Sequence, residues 1–218
     1  MQFLDIHTHQ DNRDPETRSI LSLTLTGDTL PALPESKECS AGLHPWFASM
    51  ENFDRDYDRL SEFAKGPAVK LIGECGLDRL KGETLEHQLL MLKKQILLAE
   101  ALQKPVILHC VRCYDELMAL KREMQPRVPL IIHGFNKHQE LGLQLMAKGF
   151  YLSFGKAILN ADSGAASLLK HTDVFFLETD DAACSIEEIY QAAANLKNST
   201  VAEVKALIFA SWKKIKLI

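Results

Sequence analysis

The sequence has no run of apolar residues close to the roughly 20 that a membrane-crossing helix needs. A secretory leader is not expected either, because Asp5 falls where the apolar stretch of such a leader would begin. Cysteine is scarce and odd in number (Cys39, Cys75, Cys110, Cys113 and Cys184), in a chain too long to depend on disulfide staples. Free thiols and a cytoplasmic, reducing setting are therefore expected, with no membrane and no obligate protein partner. Positive charge is not in excess: Lys+Arg 25 against Asp+Glu 29 leaves a formal net charge of -4. That excludes a protein that grips nucleic acid by bulk positive charge, though not one that recruits phosphates through bound cations. There is also no fixed-period repeat, low-complexity tract or linker. A chain of 218 residues, 46% hydrophobic and 25% charged, predicts a single domain spanning 1–218.

What is present is an alternation. Short β-rich runs recur at Phe3 to His7, Ile20 to Leu25, Ser40 to His44, Val69 to Glu74, Val106 to His109, Leu130 to His133, Phe150 to Phe154 and Val174 to Glu178. Most are continuous apolar runs, as for parallel strands covered on both faces. Helical spacing fills most of the intervals: Asn52 to Lys65, Thr84 to Gln103, Tyr114 to Met124, Lys137 to Lys148, Ser163 to Lys170, Ile186 to Leu196 and Val201 to Lys214. Strand and helix alternating over roughly eight rounds predict an α/β fold, a TIM-type (β/α)8 barrel. Gln10 to Ser19 and Thr26 to Glu38 carry no helical pattern, so the helices after strands one and two are expected to be reduced to loops. Lys213, Lys214 and Lys216 read as complements to a helix dipole rather than an anion-binding tail.

In a parallel barrel, chemistry gathers at the carboxyl ends of the strands. There the sequence places His7 and His9, His44, Glu74, His109, His133, and Glu178 with Asp180. A lone histidine after an apolar strand is usually structural. Imidazoles and carboxylates at most of the strand ends, with His7 and His9 on one face by strand parity, call for a cation to satisfy them. Imidazole with carboxylate suits zinc, manganese, nickel or iron, and carboxylate with water also suits magnesium. Asp5 shares the face of His7 and His9 one step deeper and is expected to support them from below. Cys110-Val111-Arg112-Cys113 has redox or zinc-pair spacing, but no second pair accompanies it. Two buried thiols are expected there.

Several short motifs occur in one order: Asp5-x-His7-x-His9, Gly42-x-His44-Pro45-Trp46, Gly73-Glu74-x-Gly76-Leu77-Asp78, Pro105 to Cys110, Ile132-His133-Gly134-Phe135, Gly149 to Gly155 and Leu177-Glu178-Thr179-Asp180. Together they resemble the TatD family of metal-dependent hydrolases and deoxyribonucleases, within the amidohydrolase-like barrels. The resemblance implies two divalent metal ions (magnesium, manganese, zinc or nickel) and phosphodiester hydrolysis, commonly as a 3′ to 5′ deoxyribonuclease with DNA as substrate. Carried over by motif, His7 and His9 hold one metal and His109 and His133 the other. Glu74 bridges them, and Asp180 binds metal beside the attacking water, so Asp180 and Glu74 are the expected catalytic pair. His44 and Arg112 are assigned to substrate phosphate, with Lys137 as a further cation that can assist. The chain departs from the family pattern after Phe135, after Asp180 and at Ser211-Trp212, without losing a ligand. Two alternatives remain open at this level: hydrolysis of a small ester, lactone, amide or phosphoester by the same ligands, and a metal-binding protein without turnover.

Overall fold

A computed structural model of the chain describes residues 1–11, 14–27 and 37–218. The strands are β1 (Phe3–Thr8), β2 (Thr17–Thr24), β3 (Glu38–Gly42), β4 (Val69–Asp78), β5 (Val106–Val111), β6 (Leu130–Ile132), β7 (Tyr151–Phe154) and β8 (Phe176–Leu177). Their order in the sheet follows the chain from β1 to β8. The helices are α1 (Phe53–Phe63), α2 (Leu85–Leu102), α3 (Tyr114–Met124), α4 (Gln139–Ala147), α5 (Gly164–Leu169), α6 (Ile186–Leu196) and α7 (Val201–Lys214). The fold class is the expected TIM-type (β/α)8 one. Every helix falls where the spacing of apolar residues predicts it, and a short 3-10 helix at Lys156–Leu159 is added after β7. Residues 9–11 and 14–16, between β1 and β2, carry no helix. The matching expectation for Thr26 to Glu38 falls largely on 28–36, outside the described residues.

The chain divides into two compact units, Met1–Leu21 with Ile132–Ile218, and Ser22–Ile131. In the first, β1 pairs in parallel with β2 (Phe3↔Thr17, Asp5↔Ser19) and β7 with β8 (Ser153↔Phe176). Its core holds Ile6, Phe135, Phe154, Phe175, Phe176, Tyr190 and Trp212, all fully buried. Tyr190 of α6 clamps β1, its hydroxyl accepting from Leu4 N at 3.0 Å and donating to Leu4 O at 3.1 Å. Both α6 and α7 begin with capping boxes, Ser185 with Glu188 and Thr200 with Glu203, which satisfy the first free N–H groups of each helix. Lys213 and Lys214 lie in the last turn of α7, where positive charge suits the dipole.

In the second unit, β4 pairs in parallel with β3 (Ser40↔Leu71, Ala41↔Ile72) and with β5 (Gly76↔His109, Asp78↔Val111). Helix α2 packs along β4 through Leu92, Ile96 and Ala99, all buried. Two buried glutamines one heptad apart on α2 depart from this apolar face. The Gln95 amide accepts from Leu43 N at 2.8 Å and donates to Leu43 O at 3.2 Å. The Gln88 amide accepts from Asp78 N at 2.7 Å and donates to the carbonyls of Asp78, Lys81 and Glu83 at 2.8–3.0 Å. Each therefore fixes backbone at the end of a strand, Leu43 just after β3 and Asp78 at the last residue of β4. The segments held are those that carry His44 and Asp78.

Candidate metal centres

The second unit brings together His44, Glu74 and His109, whose ligand atoms all lie within 4.8 Å of one another and which are all buried. Glu74 Oε1 lies 3.0 Å from His44 Nε2 and 2.9 Å from His109 Nδ1. His109 Nε2 faces a second carboxylate, Asp78 Oδ2, at 3.1 Å. The sheet makes this possible at Gly76, which pairs with His109. Gly76 has φ +154°, and a Cβ there would lie 2.0 Å from His109 O. Only glycine lets β4 pass this close, so that Glu74 and Asp78, on either side of it, both reach one imidazole.

Asp78 also accepts from Trp46 Nε1 at 2.6 Å and from Leu80 N at 2.8 Å. Burial works to raise its carboxyl pKa. The hydrogen bonds from Trp46, Leu80 and His109, with the charge of His109, outweigh burial and hold the group below the usual carboxylate range. Asp78 closes the Gly73-Glu74-x-Gly76-Leu77-Asp78 motif, and the structure adds it to the site. Its signal was parity: four residues beyond Glu74 in one strand, it shares that residue's face. His44, expected at substrate phosphate, has its ring nitrogen on Glu74 and so stands among the potential ligands. Arg112 follows β5 with φ +55°, and its carbonyl accepts from Arg79 Nε at 2.9 Å.

The first unit brings together His7, His133 and Asp180, again with ligand atoms within 4.8 Å of one another. Asp180 Oδ1 lies 3.5 Å from His7 Nε2 and 3.6 Å from His9 Nε2, and the His7 and His133 rings are 4.5 Å apart. The backbone sets this geometry: Asp180 N donates to His7 O at 2.9 Å and His9 N to Asp180 O at 3.1 Å. Asp180 has φ +53°, an unfavourable value for a residue with a side chain, and its carboxylate faces His7 of β1 and His9 just beyond it. That turn also ends β8 earlier than its apolar run predicts. Within this unit the companion of His133 is His7.

Asp5 lies beneath this cluster, buried. Its carboxylate accepts from His7 N at 3.3 Å, Thr179 N at 3.1 Å and Thr179 Oγ1 at 2.7 Å. It therefore ties the backbone of β1 to the segment that carries Asp180, as its position suggested. Burial pushes its carboxyl up to about 7, against the hydrogen bonds from Thr179. Glu178, fully buried, accepts from Gly134 N at 2.6 Å and lies 3.6 Å from His133 Nδ1. It was read as a strand-end carboxylate, and its place is behind a histidine. A cavity of about 70 Å³ adjoins it, lined by Gly134, Asn136, Lys156, Glu178 and Asp180.

Each cluster combines imidazole nitrogen with carboxylate oxygen close enough to share one cation, the first wholly buried and the second buried at His7 and open toward Asp180. This donor set fits a divalent transition metal. The cysteines stay out of it. All five are free thiols, and burial pushes Cys110 up to about 12 and Cys75 higher still. The Cys110 and Cys113 thiols thus stay protonated, as expected for packing groups rather than ligands.

Among known proteins, the TatD related DNase family model matches residues 28–215. Similar curated proteins include the 3′-5′ ssDNA/RNA exonuclease TatD of Cronobacter turicensis, 33% identical over 147 residues, which are 65% of this chain and 56% of that one. The protein of the same name from Edwardsiella piscicida is 31% identical over 155 residues, 68% and 59% of the two chains. The matched region thus spans somewhat more than half the length of these relatives. Among solved structures, the TatD homologue YJJV from Escherichia coli K12 superimposes with a TM-score of 0.81 at 20% identity, covering 99% of this chain and 98% of that one. A TatD family hydrolase from Entamoeba histolytica gives 0.76 at 15% identity with the same coverage. The family model extends over most of the sequence, and the chain belongs to the TatD related DNase family.

Proposed function

We propose that the chain acts, as one domain, as a divalent-metal-dependent hydrolase that removes nucleotides from the 3′ end of single-stranded DNA in the cytoplasm. The observation that carries the reading is the pair of imidazole–carboxylate clusters, the buried His44–Glu74–His109 and the partly exposed His7–His133–Asp180, in a member of this family. We assign one ion to each, with His9 as a further ligand beside Asp180. The curated relatives named 3′-5′ ssDNA/RNA exonucleases support the substrate class, and five free thiols support the reducing location.

A divalent ion, when bound, supplies Lewis acidity that acidifies water and offsets charge growing on the phosphoryl oxygens. The protein's own groups supply the rest. Asp180, the partly exposed carboxylate of its cluster, accepts the proton of the attacking water. Glu74 holds His44 and His109 through one oxygen, and Asp78 fixes the far nitrogen of His109, so both rings are oriented before an ion arrives. Asp5 keeps His7 and Thr179 in register, and Glu178 stands behind His133. Arg112 is the proposed contact to a substrate phosphate, and His44 acts through its ligand role. The acidic net charge is then no obstacle, because positive charge is local to the cations.

The experiment is digestion of a labelled single-stranded oligonucleotide by metal-stripped protein, with and without added manganese, magnesium or zinc. Stepwise shortening from the 3′ end only after metal addition supports the reading. Hydrolysis of small esters or lactones with an intact oligonucleotide would replace it by the amidohydrolase-like alternative.

A further inference from the structure

An exposed aromatic surface runs outward from the His44–Glu74–His109 cluster. The His44 ring lies 4.9 Å from Trp46 and 5.5 Å from Phe47, and Trp46 lies 5.4 Å from His109. Trp46 is 39% exposed, Phe47 60% and Leu80 63%. Large apolar side chains left exposed beside a buried cluster, with Trp46 and Phe47 touching it directly, are costly to leave in water unless something covers them. A cation accompanies it: Lys81 Nζ stands 3.8 Å from the centre of the Trp46 ring.

The surface is also held rigid. Trp46 donates its indole N–H to Asp78 at 2.6 Å, the same carboxylate oxygen that meets His109. The loop carrying Leu80 and Lys81 is pinned by the Gln88 amide at the Asp78, Lys81 and Glu83 carbonyls. It closes on the other loop at Gly82, where φ is +87° and a Cβ would lie 2.0 Å from Pro45 O. Met50 N donates to Glu83 Oε1 at 3.2 Å, adding a second tie between the two loops. Beyond holding Asp78 against His109, the ties at Lys81, Glu83 and Gly82 act on the loop outside the ligands. They place rings and a lysine.

We propose that Trp46, Phe47, Leu80 and Lys81 form a stacking platform for the base of the nucleotide next to the scissile phosphodiester, with Lys81 meeting its phosphate. The proposal rests on the nucleic-acid reading above and deepens it by naming what selects the substrate. Exposed rings beside a cation are the chemistry of single-strand binding, tolerant of sequence because every base has a π-face. Bases paired in a duplex cannot offer that face, so the platform favours single strands and frayed 3′ ends.

The test compares a single-stranded oligonucleotide, the same strand in a blunt duplex, an abasic strand of equal length, and bis(4-nitrophenyl) phosphate. Phe47→Ala and Lys81→Ala are each expected to lower the ratio of oligonucleotide to small-ester kcat/KM about tenfold, the loss falling in KM. The abasic strand is expected to be a poor substrate for the wild type and insensitive to Phe47→Ala. Equal KM for abasic and natural strands, or an unchanged ratio in both variants, overturns the platform. Binding supplies a readout independent of turnover. Trp46 and the fully buried Trp212 are the two tryptophans. Oligothymidylate added in chelator is expected to quench the fluorescence of wild type and not of Trp46→Phe. If the wild type hydrolyses no phosphodiester, the proposed function fails, while the platform still stands or falls on that quenching. Binding to folded proteins without quenching by oligothymidylate would mark the patch as a protein-docking surface and overturn the proposal.

Discussion

Gln88 is the residue whose replacement tests how the second unit organises its ligands. Its side chain is buried, its oxygen accepting from Asp78 N and its two N–H groups shared among the carbonyls of Asp78, Lys81 and Glu83. Gln88→Leu keeps similar volume and removes all of these hydrogen bonds. At about 1 kcal/mol net per hydrogen bond, with a further cost for buried groups left without partners, the loss is about 3–5 kcal/mol. Two effects follow. Thermal unfolding of the metal-free protein is expected to fall by about 10 °C, the shift such a loss produces in a chain of this size. Freed Asp78 and Leu80 backbone also loosens the carboxylate that faces His109 Nε2, so metal content after dialysis is expected to drop in parallel. Calorimetry and elemental analysis measure the two. Gln88→Glu keeps the acceptor for Asp78 N but turns a carboxylate oxygen toward the carbonyls, and is expected to be no better than leucine. A Gln88→Leu protein that melts within 2 °C of wild type (a shift worth only about 1 kcal/mol) and keeps its metal would refute the assignment of this glutamine as the loop's anchor.

Asp180→Ala is expected to abolish oligonucleotide turnover while leaving the circular dichroism spectrum and Tm of the metal-free protein near wild type, since its side chain is partly exposed; retained turnover would remove it from the mechanism. Asp5 holds its proton to about pH 7 in the folded state and to 3.8 when unfolded. The folded form therefore binds more protons in that window, and stability of the metal-free protein falls as pH rises from about 4 to 7. Denaturant titrations of wild type against Asp5→Asn should show the slope flattened in the variant. Gly76→Ala would drive a Cβ into His109 O, and loss of soluble protein or of metal binding is expected, a normal Tm contradicting the close approach. The Cys110 thiol, pushed up to about 12 by burial, should react with a thiol reagent at pH 8 only after denaturant is added.

Much of this was legible in the residue pattern, for physical reasons. Parallel strands covered on both faces read as apolar runs, so β1, β4 and β5 were found from Phe3, Val69 and Val106 onward. Helices α3, α6 and α7 begin and end where their apolar spacing does, because caps such as Ser185 and Thr200 punctuate them. Parity also placed Asp5 beneath His7. What escaped was the information carried by single backbone angles and by polar residues on apolar faces. Asp180 at φ +53° redirects a carboxylate in a way no alternation rule contains. Gln88 and Gln95 interrupt the buried face of α2 without breaking its period, so they read as neutral positions until their partners on Asp78 and Leu43 are seen. The contacts made within each unit were not legible for a related reason. Residues at successive strand ends share a region, but which imidazole meets which carboxylate depends on side-chain reach, and His44 went to Glu74 rather than outward.

The account's central claim is hydrolysis of phosphodiesters that depends on metal held by these two clusters. The most direct test is a paired measurement on one preparation: metal content by elemental analysis and nucleotide release from a 3′-labelled single strand, before and after chelation and after metal is returned. The account predicts that release disappears with the metal, returns with it, and fails to return in Glu74→Ala or Asp180→Ala. Undiminished release from protein stripped of metal would contradict it.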